Sequence, residues 1–347
     1  TIYIINDKTT KKSHNIINYT LCVRRKLMIK DLCLIVIGFI LLIIGADALV
    51  KGSSNLAKKF HIPEIIIGLT IVCIGTSMPE LIITITSASK GYTDLIVGNA
   101  IGSNLCNLLL ILGIAAILKP VKIDKDIKRI HLPIAIFATI LVLIIGNISI
   151  GSGKFIIGRV EGIVLLILFI IYFSYPVIIT IKDIIKVEHQ KRKPRKDISV
   201  IKSIIFIIIG AIMLKYGGDF VVDTCESIAL TFGISERVIG LTIVAIGTAL
   251  PELITTIIAT IQKDTALAVG NLIGSCMLNL WLILGIGAVI TPLVFSIDFN
   301  LNLVLLAFAT LMVWLFCYIG KKNTITSANG LILLFTFFIY LTKLFVA

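Results

Sequence analysis

Apolar residues fill most of the chain in long blocks, separated by short polar stretches. Five blocks contain no charged residue, at 132–153, 162–181, 265–297, 299–320 and 323–342. Each reaches the roughly 20 residues with which a helix crosses about 30 Å of hydrocarbon. The pattern therefore predicts an all-α membrane protein. It places ten spans at 30–52, 63–89, 94–118, 130–151, 160–181, 201–222, 235–261, 266–290, 298–319 and 325–345.

A basic stretch at 186–200 separates five predicted spans from five. We expect it to be a cytoplasmic loop, because positive residues collect on that side. Residues 1–27 form a basic tail, for which the sequence leaves two interpretations: an ordinary disordered tail, or a segment that precedes a natural start at Met28. The halves are then 28–185 and 201–347, and both chain ends face outside the cell membrane.

The two halves are related in sequence at an offset of 172 residues. Segments 64–120 and 236–292 align without a gap, and more than half of their positions are identical. An odd number of spans per half reverses the second copy in the bilayer, so the alignment predicts two inverted five-helix repeats. Asp47 and Asp219 also match at this offset, but they lie near the ends of apolar runs, where we expect structural roles.

Composition agrees with a membrane protein and argues against several other classes. The chain is 58% hydrophobic and 15% charged, whereas a soluble domain carries about a quarter charged residues. The formal net charge of +13 lies mainly in loops, so we expect no nucleic-acid binding. We find no phosphate-binding loop or nucleophile with a base, so we expect neither an enzyme nor a cofactor.

Each half carries a Gly-Thr-x-x-Pro-Glu run, at 75–80 and at 247–252. Pro79 cannot donate a backbone hydrogen bond, so the helix should break there and release carbonyl oxygens near Cys73 and Thr76. The runs end at Glu80 and Glu252. A carboxylate in hydrocarbon costs roughly 2.5–3.5 kcal/mol, so its usual explanation is functional. The alternative, a kinked packing helix with a snorkelling acid, fits poorly with the long uncharged sequence on both sides of Glu80.

A second motif, Gly-Asn-x-Ile-Gly-Ser, occurs at 98–103 and 270–275. Ser103 and Asn107 are four residues apart and share one helical face, as do Ser275 and Asn279. The small residues Gly98 and Gly102 should let this helix approach a neighbour closely.

The polar groups of the two motifs offer only oxygen atoms as ligands, and hard cations prefer oxygen ligands. Calcium takes six to eight oxygens at about 2.3–2.6 Å. Two glutamates balance one calcium or two sodium ions, so the two ions could compete for one site. The candidate ligands are the side chains or backbone of Glu80, Glu252, Thr76, Thr248, Ser77, Ser103, Ser275, Asn107 and Asn279.

These two duplicated motifs resemble those of the sodium/calcium exchangers of the cation/calcium antiporter superfamily, in the prokaryotic type without a large regulatory loop. The resemblance covers the chain from about Met28 to its end. It implies ten helices in two inverted halves, with spans two, three, seven and eight around the ions and spans one and six as sliding gate helices.

By position, the resemblance implies that Glu80 and Glu252 bind calcium with the backbone oxygens of Thr76 and Thr248. It also implies that sodium uses the same glutamates together with Ser77, Ser103, Thr248, Ser275 and the carbonyls of Cys73 and Ala245. Asn107 and Asn279 would line the middle of the site. Two positions depart from the pattern: Ala249 replaces a hydroxyl, and Asn279 stands where some relatives have an aspartate.

The sequence thus favours a sodium/calcium antiporter that works by alternating access at one midplane site. Its expected partners are the bilayer and the two transported ions, and we expect a functional monomer. Proton-coupled calcium exchange at the same glutamates is the nearest alternative. A cation channel is a third, but channel pores are usually built by symmetric subunits.

Overall fold

The chain forms a helical membrane protein. The computed structural model describes residues 7–148, 155–188, 199–231, 245–319 and 323–346. In that part of the chain, seven helices are long and apolar enough to cross a membrane, or eight if one bent pair counts as a single span. The predicted seventh span falls partly on residues outside this range, and the predicted tenth is a shorter apolar helix.

The first half contains six helices and two short strands. Their bounds are α1 Asp7–Phe60, α2 Glu64–Thr76, α3 Met78–Lys90, α4 Thr93–Leu118, β1 Val121–Lys122, α5 Ile127–Asn147, β2 Ile156–Ile157 and α6 Arg159–Glu188.

The second half repeats this order over the residues that the structure describes. Its elements are α7 Val200–Thr231, α8 Ala245–Thr248, α9 Leu250–Ile261, α10 Thr265–Ile290, β3 Leu293–Val294, α11 Asp298–Phe316, β4 Thr324–Ile325 and α12 Ser327–Val346.

Helix α1 is longer than the predicted first span in both directions. Its backbone is helical from Asp7, so most of the predicted tail continues the first span. At the other end it reaches Phe60 because Ser53 and Ala57 are buried against the core. The predicted basic loop at 186–200 is shorter, since α6 runs to Glu188 and residues 189–198 lie outside the described range.

The most buried helices are α4 and α10, which carry the second sequence motif. The apolar windows of α4 and α10 are 72% and 78% buried, against 22% for α6 and α7. Helices α6 and α7 therefore present most of their surface to lipid, and α4 and α10 form the centre of the molecule.

Close backbone contacts pack this centre. A Cβ atom on Gly270 of α10 would lie 2.4 Å from the Ile65 carbonyl of α2, so only glycine fits there. A Cβ atom on Gly274 would lie 2.8 Å from both the Leu69 carbonyl and Cys73 Sγ. The close approach predicted for Gly98 and Gly102 does not involve the described residues: a Cβ atom on Gly98 would first meet Phe299 at 3.7 Å, an ordinary contact, and one on Gly102 would meet none of them within 4 Å.

Two small antiparallel ladders join the halves. Strand β1 pairs with β4, with Val121 opposite Ile325, and β2 pairs with β3, with Ile156 opposite Val294. In each ladder one strand comes from each half of the chain, so the halves are connected outside the helical core as well.

Candidate ion-binding site

The predicted helix break is present in both motifs. Helices α2 and α3 meet at a 48° bend at Ser77, whose backbone (φ −87°, ψ 14°) departs from helical geometry. Ala249 has nearly the same backbone (φ −85°, ψ 0°) between α8 and α9. The prolines that follow lie in the first turn of the next helix, where a missing amide hydrogen is tolerated.

The break brings the two glutamates into the interior from opposite halves. Glu80 and Glu252 lie in the first turns of α3 and α9, and each side chain is 1% exposed. Their carboxylates are close enough for their charges to repel each other. Two buried acids that repel each other require a nearby positive charge or bound protons.

A hydroxyl pair connects Glu252 to the opposite half. Ser77 Oγ donates to Glu252 Oε1 at 2.9 Å and lies 3.0 Å from Ser275 Oγ. Ser275 Oγ is 3.5 Å from the same carboxylate oxygen. The side chain of Ser103 lies beside Glu80 in the corresponding position. Residues that are 172 or more apart in sequence are thus gathered around the acids.

Several buried oxygen atoms at this place accept no hydrogen bond from the described residues. Desolvated acceptors of this kind are costly unless a donor or a cation reaches them. The atoms are Glu80 Oε2, Glu252 Oε2, Ser103 Oγ, Asn107 Oδ1 and Asn279 Oδ1.

Wide helical turns carry the two central asparagines. Asn107 lies in a π-helical turn over Cys106–Ile111, and Asn279 in the equivalent turn over Leu278–Ile283. Turns of this kind occur frequently at functional sites. Two other π-helical turns, Gly68–Val72 and Ile127–His131, occur elsewhere in the described residues, so it is the repetition at equivalent positions of the two halves that suits a pair of residues with a common role.

Two buried asparagines that we did not select from the sequence hold the centre in place. Asn104 Nδ2 donates to the Cys276 carbonyl at 3.0 Å, and Asn279 Nδ2 donates to Asn104 Oδ1 at 3.0 Å. Thr76 Oγ1 donates to Asn271 Oδ1 at 3.1 Å. Asn271 lay within a recognised motif and could have been selected. Asn104 aligns with Cys276, so the repeat gave no signal for it.

The remaining predicted residues lie at the same breaks, with one correction. Thr76 and Thr248 are buried in the last turns before the breaks, and Ala245 begins α8. The Cys73 carbonyl was expected to be released, but it accepts the Ser77 amide at 2.9 Å and the Thr76 hydroxyl at 3.3 Å. The bend moves the chain too little to free it.

A cavity of about 240 Å³ reaches the breaks from one side of the molecule. Its wall is formed by α3, by α7 and by the α8–α9 break. The lining includes Pro79, Ile82, Ile83, Lys215, Asp219, Asp223, Thr248 and Pro251.

The two aspartates for which we expect structural roles each form an ion pair on their own helix. Asp47 Oδ2 pairs with Lys51 Nζ at 2.7 Å, and Asp219 Oδ2 pairs with Lys215 Nζ at 2.7 Å. Both aspartates are partly exposed. Helices α1 and α7 pack antiparallel, with Gly38 against Gly217 and Gly45 against Gly210, so Asp47 and Asp219 lie towards opposite ends of the pair.

Comparison with known proteins places this geometry in context. The family model described as "Sodium/calcium exchanger protein" matches residues 30–177 and 202–346. The chain is 35% identical to the inner membrane protein YrbG of Escherichia coli, over 83% of this chain and 90% of that protein. It is 29% identical to the sodium/calcium exchanger MaX1 of Methanosarcina acetivorans, over 75% and 83%.

Among solved structures, the fold resembles that of the sodium-calcium exchanger NCX_Mj. The TM-score is 0.77 at 31% sequence identity, and the match covers 91% of this chain and 99% of that one.

Proposed function

Because the chain belongs to the sodium/calcium exchanger family, we propose that it exchanges sodium for calcium by binding the two ions in turn between Glu80 and Glu252. As a member of the family it is a multi-pass membrane antiporter and not an enzyme. The observation that carries the finer proposal is the pair of neighbouring buried carboxylates, each with an oxygen that accepts no hydrogen bond, together with three further buried oxygens, Ser103 Oγ, Asn107 Oδ1 and Asn279 Oδ1, that have no partner among the described residues.

Calcium suits this set of ligands. It accepts six to eight oxygens in tolerant geometry, whereas magnesium requires a strict octahedron and releases water reluctantly. Glu80 and Glu252 would neutralise its charge, and the amide oxygens of Asn107 and Asn279 would complete the middle of the shell. The backbone oxygens of Thr76 and Thr248 remain our proposed additional ligands.

Sodium would occupy the same carboxylates with the hydroxyls around them. Ser77, Ser103 and Ser275 are buried beside the acids, and Thr248 lies at the second break. Hydroxyl and carbonyl oxygens suit a singly charged hard cation. Because either ion needs both glutamates, the site holds calcium or sodium but not both, which is the requirement for exchange. The carbonyls of Cys73 and Ala245 complete this proposed sodium set, and that of Cys73 must first give up its present donors.

We further propose the inverted ten-span arrangement, with both chain ends outside and the basic loop in the cytoplasm. The 172-residue repeat, the matching helix breaks and the matching π turns support it. In this arrangement α1 and α7 move against the core, so the site opens to one side at a time.

The coupling ion is tested by flux in sealed vesicles. We expect an outward sodium gradient to drive calcium uptake into the vesicles while the pH is clamped on both sides. If calcium uptake needs only a proton gradient, the coupling ion is the proton and not sodium. Single-channel currents that persist without any counter-ion would instead support a channel.

Removing one carboxylate should abolish exchange. Glu80→Gln and Glu252→Gln keep the side-chain shape but lose the charge that attracts the cation, so we expect calcium uptake to fall at least a hundredfold, about 2.7 kcal/mol of binding. Size-exclusion profiles in detergent check that the variants fold. Thr86→Val, on an exposed part of α3, is the matched control and should keep normal uptake. Normal exchange in either glutamine variant would refute the assignment.

A further inference from the structure

The two mouths of the protein differ in this structure, although the sequence repeat relates them. On one side α1 packs along α9, and Ala46 and Leu49 share a buried cluster with Ala259. The repeat-related helices, α7 and α3, are separated by the cavity. We call the end of the molecule where α1 packs on α9 the closed mouth, and the end where the cavity separates α7 from α3 the cavity mouth.

Exposure of repeat-related residues shows the same difference. Ile82 and Ile85 of α3 are 40% and 43% exposed. Their counterparts on α9, Ile254 and Ile257, are half-buried, Ile254 against the cluster that contains α1. The structure is therefore open at the cavity mouth.

A hydrogen bond joins α1 to the end of α9 at the closed mouth. Gln262, directly after α9, donates from Nε2 to Asp47 Oδ1 of α1 at 2.8 Å. The other oxygen of Asp47 is held by Lys51 at 2.7 Å. Asp47 thus holds a partner on its own helix and a partner at the end of the neighbouring helix at the same time.

The repeat places an aspartate and a polar helix-end residue at the cavity mouth too, but no contact between them occurs among the described residues, and the lysine that holds the aspartate lies four residues before it instead of four residues after it. The counterpart of Asp47 is Asp219, which lines the cavity and is held on its own helix by Lys215 at 2.7 Å. The counterpart of Gln262 is Lys90, the last residue of α3, which is exposed. Lys90 is seven residues after Ile83, so it lies on the cavity side of α3, about 10 Å further towards the mouth.

We propose that Asp219 and Lys90 form an ion pair that latches the cavity mouth in the alternate state, as Asp47 and Gln262 latch the closed mouth here. The inference rests on the proposed inverted arrangement and alternating access. Asp219 can keep Lys215 on one oxygen and take Lys90 on the other, which is the arrangement that Asp47 already has.

The two latches are chemically unequal, which has a consequence for the transport cycle. One joins a carboxylate to a neutral amide, and the other joins two full charges. Salt screens exposed charges more than neutral hydrogen bonds, so high ionic strength should favour the state that is open at the cavity mouth. Asp223 also lines this mouth and adds to the attraction for Lys90.

The test measures how often the cavity mouth is open. Ile82→Cys places a thiol on the exposed wall, and its rate of maleimide labelling is followed by peptide mass spectrometry in detergent. We expect Gln262→Ala to lower the rate about two- to fivefold, because it releases the closed mouth. Lys90→Glu should raise the labelling rate by a similar factor. If the reversed charge prevents folding, Lys90→Ala tests the same expectation.

A double substitution separates the latch from general damage. Asp219→Asn should raise labelling as Lys90→Ala does, and the two together should do no more than either alone. Lys263→Gln, next to Gln262, is the control and should leave the rate unchanged. Additive effects, or no effect of Lys90 substitutions, would overturn the latch. The readout needs no ion gradient, so a failure of sodium coupling would refute the function without changing this result.

Discussion

At the scale of single residues, Ser77 is the position where the two halves differ most usefully. Its hydroxyl contacts both Glu252 and Ser275, whereas its counterpart is Ala249. We expect Ser77→Ala to raise the sodium concentration for half-maximal exchange roughly five- to tenfold, about 1–1.4 kcal/mol, which is the size of one ordinary hydrogen bond. Calcium, held mainly by carboxylates, should change less.

Ion titration of calcium uptake in proteoliposomes checks this expectation. Ser87→Ala removes a buried hydroxyl from the same helix away from the acids and is the matched control. The reverse change, Ala249→Ser, should strengthen sodium binding. Equal loss of sodium and calcium affinity in Ser77→Ala would contradict a specific sodium role.

A second residue-scale prediction concerns Asp264, which precedes α10 and accepts the Leu267 amide at 3.2 Å. Burial, with the neighbouring Glu64 carboxyl, raises the pKa of Asp264 to about 6. The folded protein therefore binds this proton more tightly than the unfolded chain, and stability is lost as the pH rises through about 6. Asp264→Asn keeps the helix cap and removes the titration.

We expect the Asn variant to have a higher thermal midpoint than the parent at pH 8 and no advantage at pH 4. Thermal unfolding in detergent at the two pH values measures this. Asp94→Asn, at an exposed position in the first turn of α4, is the control. A difference that is the same at both pH values would show that the ionised carboxyl is not the cause.

The sequence predicted the interior position of residues whose chemistry is duplicated, and it missed a residue whose two copies differ. Glu80 and Glu252 were predicted as ligands because an acid in an apolar run is costly and both copies keep it; both are buried, and their role as ligands stays a prediction. Asn104 was missed because its counterpart is Cys276, and its role depends on a contact with Asn279 that only the folded chain creates.

At the scale of elements, the crossing of α2 and α10 sets the position of the site. The Thr76–Asn271 hydrogen bond and the Gly270 contact both lie on this crossing. A methyl group at Gly270 would meet the Ile65 carbonyl at 2.4 Å, and backbone cannot move aside as a side chain can. We expect Gly270→Ala to destabilise the protein by about 1–3 kcal/mol.

Gly270→Ala should lower both the thermal midpoint in detergent and the rate of calcium uptake. The matched control is Gly218→Ala, where an added methyl would first meet Pro251 at 3.8 Å, an ordinary contact. If both variants unfold alike, close packing at Gly270 is not what positions the helices.

The helix breaks could be predicted from the sequence, whereas the π-helical turns and the β ladders could not. Proline has a local steric effect, so Pro79 together with the upstream Gly75 predicted the break at Ser77, although Pro176 lies inside α6 without ending that helix. The π turns around Asn107 and Asn279 have no such local cause, because their residues would also fit an ordinary helix. The β ladders depend on contacts between residues about 140 to 200 positions apart, which local pattern does not encode.

At the scale of the whole molecule, charge balance at the site predicts how transport responds to voltage. A net charge at the bilayer midplane is costly, so each loaded state should be close to neutral. Glu80 and Glu252 together balance one calcium or two sodium ions, and Asn279 adds no charge. The proposed exchange should then be electroneutral, with little dependence on membrane potential.

Flux in vesicles whose potential is set by a potassium gradient and an ionophore measures this dependence. We expect the calcium uptake rate to change less than twofold over 100 mV, although one net charge moved per cycle would contribute about 2.3 kcal/mol. Asn279→Asp adds a third central carboxylate, so it should admit a third sodium ion and make exchange depend on potential. A steep dependence in the parent protein would mean that the two glutamates do not account for all the charge carried by the bound ions.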